Sequence, residues 1–257
     1  MAELLVRPAW SLPPGVHAFV STRHGGNSSG DYHSLNLGQH VGDVAAVVES
    51  NRAALLQALQ QQSGEAALEL QWMQQVHGTS VTAIDKVLDA PPVADALYTT
   101  QSHIALNVLT ADCLPVLFCS NSGEEIAVAH AGWRGLCNGV LESVLLQFRC
   151  APTDVRCWLG PAIGPCHFEV GSDVRDAFLM LSRQTWMAAT KAAFTPGPRP
   201  GKWMADLYAL ARIRLQKSGV TDIAGTPQCT VCLADDYYSY RQQQVTGRFV
   251  TGIVKVS

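Results

Sequence analysis

Three short apolar segments, at residues 104–109, 115–119 and 126–129, constrain this chain more than any other feature of it. They are rich in Val, Ile, Leu and Phe, and too short for stable helices. Runs of this kind, bounded by turn residues, read as strands buried on both faces. Asp112 interrupts the most apolar stretch, 104–119, so no segment reaches the roughly 18 uncharged residues that cross a bilayer. Apolar residues make up 47% of the chain and charged residues 15%, which is ample material for a core. At 257 residues the chain is expected to form a single domain over residues 1–257. With 21 acidic against 18 basic side chains, the net charge is -3. That balance supplies no field to gather nucleic acid or an anionic membrane. Oligomeric state is not legible. The start, Met1 to Pro8, lacks the basic and then apolar pattern of a secretory signal. The eight cysteines are therefore expected to be thiols in a cytoplasmic protein.

Other elements follow from pattern. Residues 16–21 and 248–256 read as strands, and 71–84 as two short strands around His77-Gly78. Residues 24–42 form a long loop rich in Gly, Ser, Asn and His. Asp43 is placed to cap a helix carrying Val44, Val47, Val48, Leu55 and Leu59. Asn138 is placed to cap another, with Val140, Val144, Leu145 and Phe148 as its apolar stripe. A strand at 155–159 leads into a Pro/Gly turn at 160–164. Helices are expected at 172–183 and 206–217, the second stopped by Gly219, with a loop at 195–201 between them. Strands and helices mix throughout, which predicts an α/β or α+β fold.

The chemistry-bearing residues cluster at strand ends. His77, Cys113 and His130 each stand where an apolar strand meets a glycine or polar turn, and two imidazoles with a thiolate suit a three-ligand catalytic zinc. Their spacings of 36 and 17 residues match no general ligand motif. The residues alone leave two readings open, buried core side chains or ligands. Asp112, a carboxylate between two buried strands, needs a partner or a task. Gly132-Trp133-Arg134-Gly135 precedes a helix and offers amides and a guanidinium to an anion, although an ordinary strand–helix turn reads the same way. The Walker A pattern is missing. Cys229-Thr230-Val231-Cys232 has no second pair at zinc-ribbon spacing and reads as a structural pair. His24, His33 and His40 read as pocket-lining or surface residues, and Tyr237, Tyr238, Tyr240 and Arg241 as a stacking wall or as packing.

An ordered series of motifs resembles the YfiH-like, or laccase-domain, family. It comprises Thr22-Arg23-His24-Gly25-Gly26, Ser34-Leu35-Asn36-Leu37-Gly38, Gln75-Val76-His77-Gly78 and Ala94-Asp95-Ala96-Leu97. It continues through Thr110-Ala111-Asp112-Cys113-Leu114-Pro115-Val116, Ala129-His130-Ala131-Gly132-Trp133-Arg134-Gly135, Leu159-Gly160-Pro161-Ala162-Ile163-Gly164-Pro165-Cys166 and Tyr240-Arg241. The resemblance implies an α-β-β-α layered sandwich and a metal, zinc with copper as the other candidate, held by His77, Cys113 and His130. It also implies phosphorolysis of adenosine, inosine and methylthioadenosine, with adenosine deamination as a side activity. On that reading Asp112, Cys113, His77 and His130 are catalytic, and Asp112 shuttles the proton in deamination. Arg134 and Arg23 would hold phosphate while Asn36 and Gln74 bind the nucleoside. The family's older association with copper-dependent phenol oxidation fits less well, because not one His-x-His pair occurs among the eight histidines. A metal-free hydrolase or amidase, with Cys113 as nucleophile and a histidine as base, is the competing enzyme reading. A non-catalytic metal-storage or partner-binding protein is the third.

Overall fold

The computed structural model describes residues 3–182 and 184–256. The apolar runs form strands in the middle of two sheets, and this explains their unbroken hydrophobicity. Ile104–Thr110 and Leu114–Ser120 are buried at every position. A five-stranded sheet has the order Leu5–Val6, Val16–Ser21, Phe249–Lys255, Ile104–Thr110, Glu69–Gln71. A six-stranded sheet has the order Asp222–Ala224, Val155–Leu159, Leu114–Ser120, Ile126–Ala131, Ala96–Thr99, Val81–Ala83. Side chains alternate between the faces of each. Leu106, Val108, Leu117, Cys119 and Val128 share one core between the sheets. Val116, Phe118 and Ala129 face the other way, onto Val140, Val144 and Leu210 from helices. Ala105, Leu109 and Val250 meet Leu55 and Leu59 of the helix Ala45–Ser63. The layers run helix, sheet, sheet, helix, as expected.

The turn at residues 111–113 carries the chain from the five-stranded sheet directly into the six-stranded one. Asp112 makes that turn at φ +91, a left-handed backbone that a non-glycine residue seldom adopts. This crossing fixes the position of the site.

Local details differ from the expectations. Asp43 does not cap the first helix; Val44 holds that position with no side-chain hydrogen bond. Asp43 instead accepts from Ser28 Oγ (2.6 Å) and Asn36 Nδ2 (2.9 Å), tying down the long loop. Asn138 is not a cap either. A six-residue helix, Trp133–Asn138, starts earlier at Gly132, and Gly139 at φ +106 separates it from Val140–Leu145. Asp206 does cap Leu207–Lys217, accepting from Ala209 N. Unforeseen are the helix Gln184–Ala192 and a small sheet of Glu169–Gly171, Lys202–Ala205 and Phe194–Pro196, which closes the expected loop into a hairpin. No helix among the described residues is long and apolar enough to cross a membrane.

Candidate metal centre

His77, Cys113 and His130 converge, with their three ligand atoms within 4.8 Å of one another. Cys113 Sγ lies 3.8 Å from His77 Nε2, and the two imidazoles meet edge to face at 4.7 Å between centroids. Cys113 sits on the crossing turn, and His130 lies near the end of the central strand Ile126–Ala131, 3% exposed. His77 is held at φ +60 in the loop that follows Glu69–Gln71. Gly132 makes room for the trio, since a Cβ there would stand 2.9 Å from His77 Cδ2 and 3.1 Å from Cys113 Sγ.

Asp95, fully buried, holds the centre from behind. Its carboxylate accepts from His130 Nδ1 at 2.9 Å, from His77 N at 2.8 Å and from Gly78 N at 2.6 Å. One side chain therefore fixes the His130 ring, leaving Nε2 for the cavity side, and pins the left-handed His77 backbone. Burial disfavours the Asp95 charge, but His130 and the amides outweigh it and keep its pKa below the usual range. Burial likewise opposes the Cys113 thiolate; His130 and His77 overcome this and lower its pKa to about 6. His130 is raised to about 9, because Cys113 and Asp95 outweigh its burial. A carboxylate–imidazole–donor chain of this kind orients ligands and raises their basicity.

The donors open onto a cavity of about 440 Å³, in the range of small-molecule sites. Its wall includes Trp133, Phe168 and Tyr240, with Arg241 and Arg248 as its cations.

A family model described as multi-copper polyphenol oxidoreductase laccase matches residues 17–255. The chain belongs to this family. It is 45% identical over 253 residues to a protein named purine nucleoside phosphorylase YfiH from Escherichia coli, covering 98% of this chain and 99% of that one. A purine nucleoside phosphorylase from Pseudomonas aeruginosa is 44% identical, with 95% of each chain covered. Among solved structures, a Neisseria meningitidis protein superposes with a TM-score of 0.89 at 42% identity, covering 99% of this chain and 100% of that one. YlmD from Geobacillus stearothermophilus gives 0.83 at 30% identity over all of both chains.

Within this laccase-family fold, the four residues expected to bind substrate do not line the cavity. Arg134 lies on the first turn of its helix, stacked 4.4 Å from the Trp133 ring and facing a separate groove with Met180. Arg23 donates to the carbonyls of His33 and Ala234 and stacks on Tyr238, so its donors are engaged in tying loops together. Asn36 is fully buried and accepts from Arg248 N at 2.9 Å, which positions a cavity arginine without touching the cavity. Gln74 is exposed; its neighbour Gln75 lines the wall, clamped in both directions to the Leu109 backbone. Asp112 does line the cavity, but both its oxygens are engaged, one by Thr230 Oγ1 and one by Arg241 N, each at 2.6 Å. Those two contacts fasten Thr230 and the Arg241 segment to the crossing turn.

Of the loop histidines only His40 reaches the cavity wall, while His24 pairs with Asp236 at 3.2 Å. Tyr240 and Arg241 form part of the wall, whereas Tyr237 and Tyr238 are core residues. Asp95 stood in the sequence only as part of a motif with no role attached, and Arg248 and Phe168 were not singled out. For Asp95 the available signal was a lone carboxylate among alanines and leucine, the same argument that singled out Asp112.

Proposed function

We propose that this chain is a purine nucleoside phosphorylase whose reaction takes place in the cavity above His77, Cys113 and His130. What carries this reading is the convergence on one cavity of two arginines, three aromatic side chains and the His–Cys–His set. Its relatives named purine nucleoside phosphorylase match it over nearly full length, which supports the same conclusion.

Arg241 and Arg248 supply the positive charge that a phosphate needs. Each spends one nitrogen on backbone carbonyls, of His167 and Glu169 or of Thr246 and Gly247, and keeps others for a ligand. Phe168, Tyr240 and Trp133 offer apolar faces to a purine ring. An oxygen of hydrogen phosphate held there attacks C1′ of the sugar while the glycosidic C–N bond breaks, giving the sugar 1-phosphate and the neutral base, which takes up the proton that hydrogen phosphate gives up. The donor set, the space left by Gly132 and the backing of Asp95 all fit a metal. Zinc bound there would supply a Lewis acid with an open coordination position, and copper suits the same donors. The chain's own contribution is orientation, with His130 aimed by Asp95 and the anion aimed by the arginines. Adenosine, inosine and methylthioadenosine are the substrates we assign. Adenosine deamination is the weaker activity, because Asp112 is the sole acid among the lining residues and both of its oxygens are taken.

A second reading rests on the Cys113–His130–Asp95 chain, which has the order of a cysteine hydrolase triad. The two separate in one comparison. The phosphorylase reading predicts that Arg248→Ala raises the phosphate KM about tenfold or more, the loss expected for a charge-assisted hydrogen bond. It also predicts that chelation abolishes activity. Full activity after metal removal, sensitive only to alkylation, would install the hydrolase instead.

A further inference from the structure

The Cys229-x2-Cys232 pair, which had no visible second half in the sequence, finds one in space. The turn after Val155–Leu159 runs beside the segment from residue 228 to 232; Ala162 bridges to Cys229, and Thr230 N donates to Ala162 O at 3.1 Å. This places Cys166 and His167 against the pair, with four ligand atoms within 4.8 Å of one another. We propose that Cys166, His167, Cys229 and Cys232 form a second, structural zinc site.

The distances carry the argument. A tetrahedral zinc with bonds of about 2.3 Å to sulfur and about 2.0 Å to nitrogen sets S···S near about 3.8 Å and S···N near about 3.5 Å. Cys166 Sγ and Cys232 Sγ are 3.6 Å apart. His167 Nδ1 lies 3.2 Å from Cys166 Sγ and 3.5 Å from both Cys229 Sγ and Cys232 Sγ. Hydrogen bonding alone does not account for this, since a neutral imidazole nitrogen offers either one N–H or one lone pair and three sulfurs surround it. Nor is the arrangement a disulfide, whose sulfurs would be about 2.05 Å apart; all eight cysteines are free.

The surroundings also suit a thiolate cluster. Gly164 packs closely, because a Cβ there would sit 3.0 Å from Cys229 Cβ and 3.4 Å from Cys166 Sγ. Three thiolates and an imidazole select zinc over hard cations. Four protein donors leave no open position, the mark of a structural site. None of the four lines the substrate cavity, yet the clip holds both segments that do: Ile163 and Phe168 on one side, Tyr240 and Arg241 on the other. Arg241 already donates to the carbonyl of His167, so the clip reaches the proposed anion site through one residue. This site stands independently of the phosphorylase reading.

The test measures metal in protein purified without chelator, in a Cys113→Ala background that disables the first centre. One equivalent of zinc should remain in Cys113→Ala and fall to none in Cys113→Ala/Cys232→Ser. X-ray absorption at the zinc edge of Cys113→Ala alone, which does not depend on the second substitution folding, should show three sulfur neighbours and one nitrogen. A Cys113→Ala protein that holds no zinc and takes none up on titration would overturn the proposal. So would an oxygen-rich zinc shell, zinc retained in the folded double variant, or a Cys166–Cys232 disulfide in freshly isolated chain.

Discussion

The two His/Cys clusters differ in donor number and in what lies in front of them. His77, Cys113 and His130 present three donors to a cavity of about 440 Å³, backed by a buried carboxylate. Cys166, His167, Cys229 and Cys232 present four donors, and none of them lines that cavity. In the first set His130 stands on a central strand, Cys113 on the turn that links two sheets and His77 in a loop, and the geometry is held by Asp95 and by the left-handed backbone at His77 and Asp112. The second joins two surface segments, with Cys166, His167 and Cys232 all exposed. The contrast teaches that rigidity comes to the first centre from the fold, whereas in the second the donors themselves supply it. On this account an ion in the first centre serves chemistry and an ion in the second serves shape.

The largest effect that would sharpen this contrast is expected at Gly132. Gly132→Ala places a methyl against His77 and Cys113, and displacement of about 1 Å at a reacting centre can cost about 100-fold in rate. The folded chain should survive, as circular dichroism would show. By contrast, Cys232→Ser should lower the melting temperature and raise KM while leaving kcat within a few-fold. If Cys232→Ser removes kcat as fully as Gly132→Ala, the division of labour is wrong.

Next in size is Asp95→Asn, which keeps the shape but weakens the hold on His130. About 10- to 100-fold weaker metal binding is expected, read by competition with a chelating dye. A smaller effect concerns pH. In chelator-treated protein the Cys113 thiol is brought down to about 6, so its alkylation should rise as pH climbs through about 6 and level off above. Burial pushes Cys119 up to about 12, and it should stay unmodified over the same range. Peptide mass spectrometry of alkylated protein separates the two. The smallest effect is Arg134→Ala, which should change the phosphate KM less than about twofold because its guanidinium faces another groove.

The contrast also explains what the sequence disclosed. The central strands were legible because burial on both faces leaves unbroken apolar runs. Cys113 and His130 stood out as polar residues at the ends of those strands and His77 as one beside a glycine break, and their motifs added the rest. Asp95 was hidden because its role depends on three amides and one ring that only the fold gathers. Arg134 stands beside Trp133 at a helix start, where one residue's difference turns a side chain toward another face, and it faces a groove apart from the cavity. Cys166 and His167 were invisible as partners of Cys229 and Cys232 because more than 60 residues separate them. Asp43 and Asn138 carried good capping chemistry, but a clamped loop and a glycine break claimed those positions.

The central claim is that the three-donor centre is where nucleoside chemistry occurs. Its most direct test is adenine release from adenosine, with and without phosphate, by metal-quantified wild type beside Cys113→Ala. The account predicts release that requires phosphate, yields ribose 1-phosphate in equal amount and disappears in Cys113→Ala. Phosphate-independent release, or undiminished release by the folded Cys113→Ala protein, would contradict it.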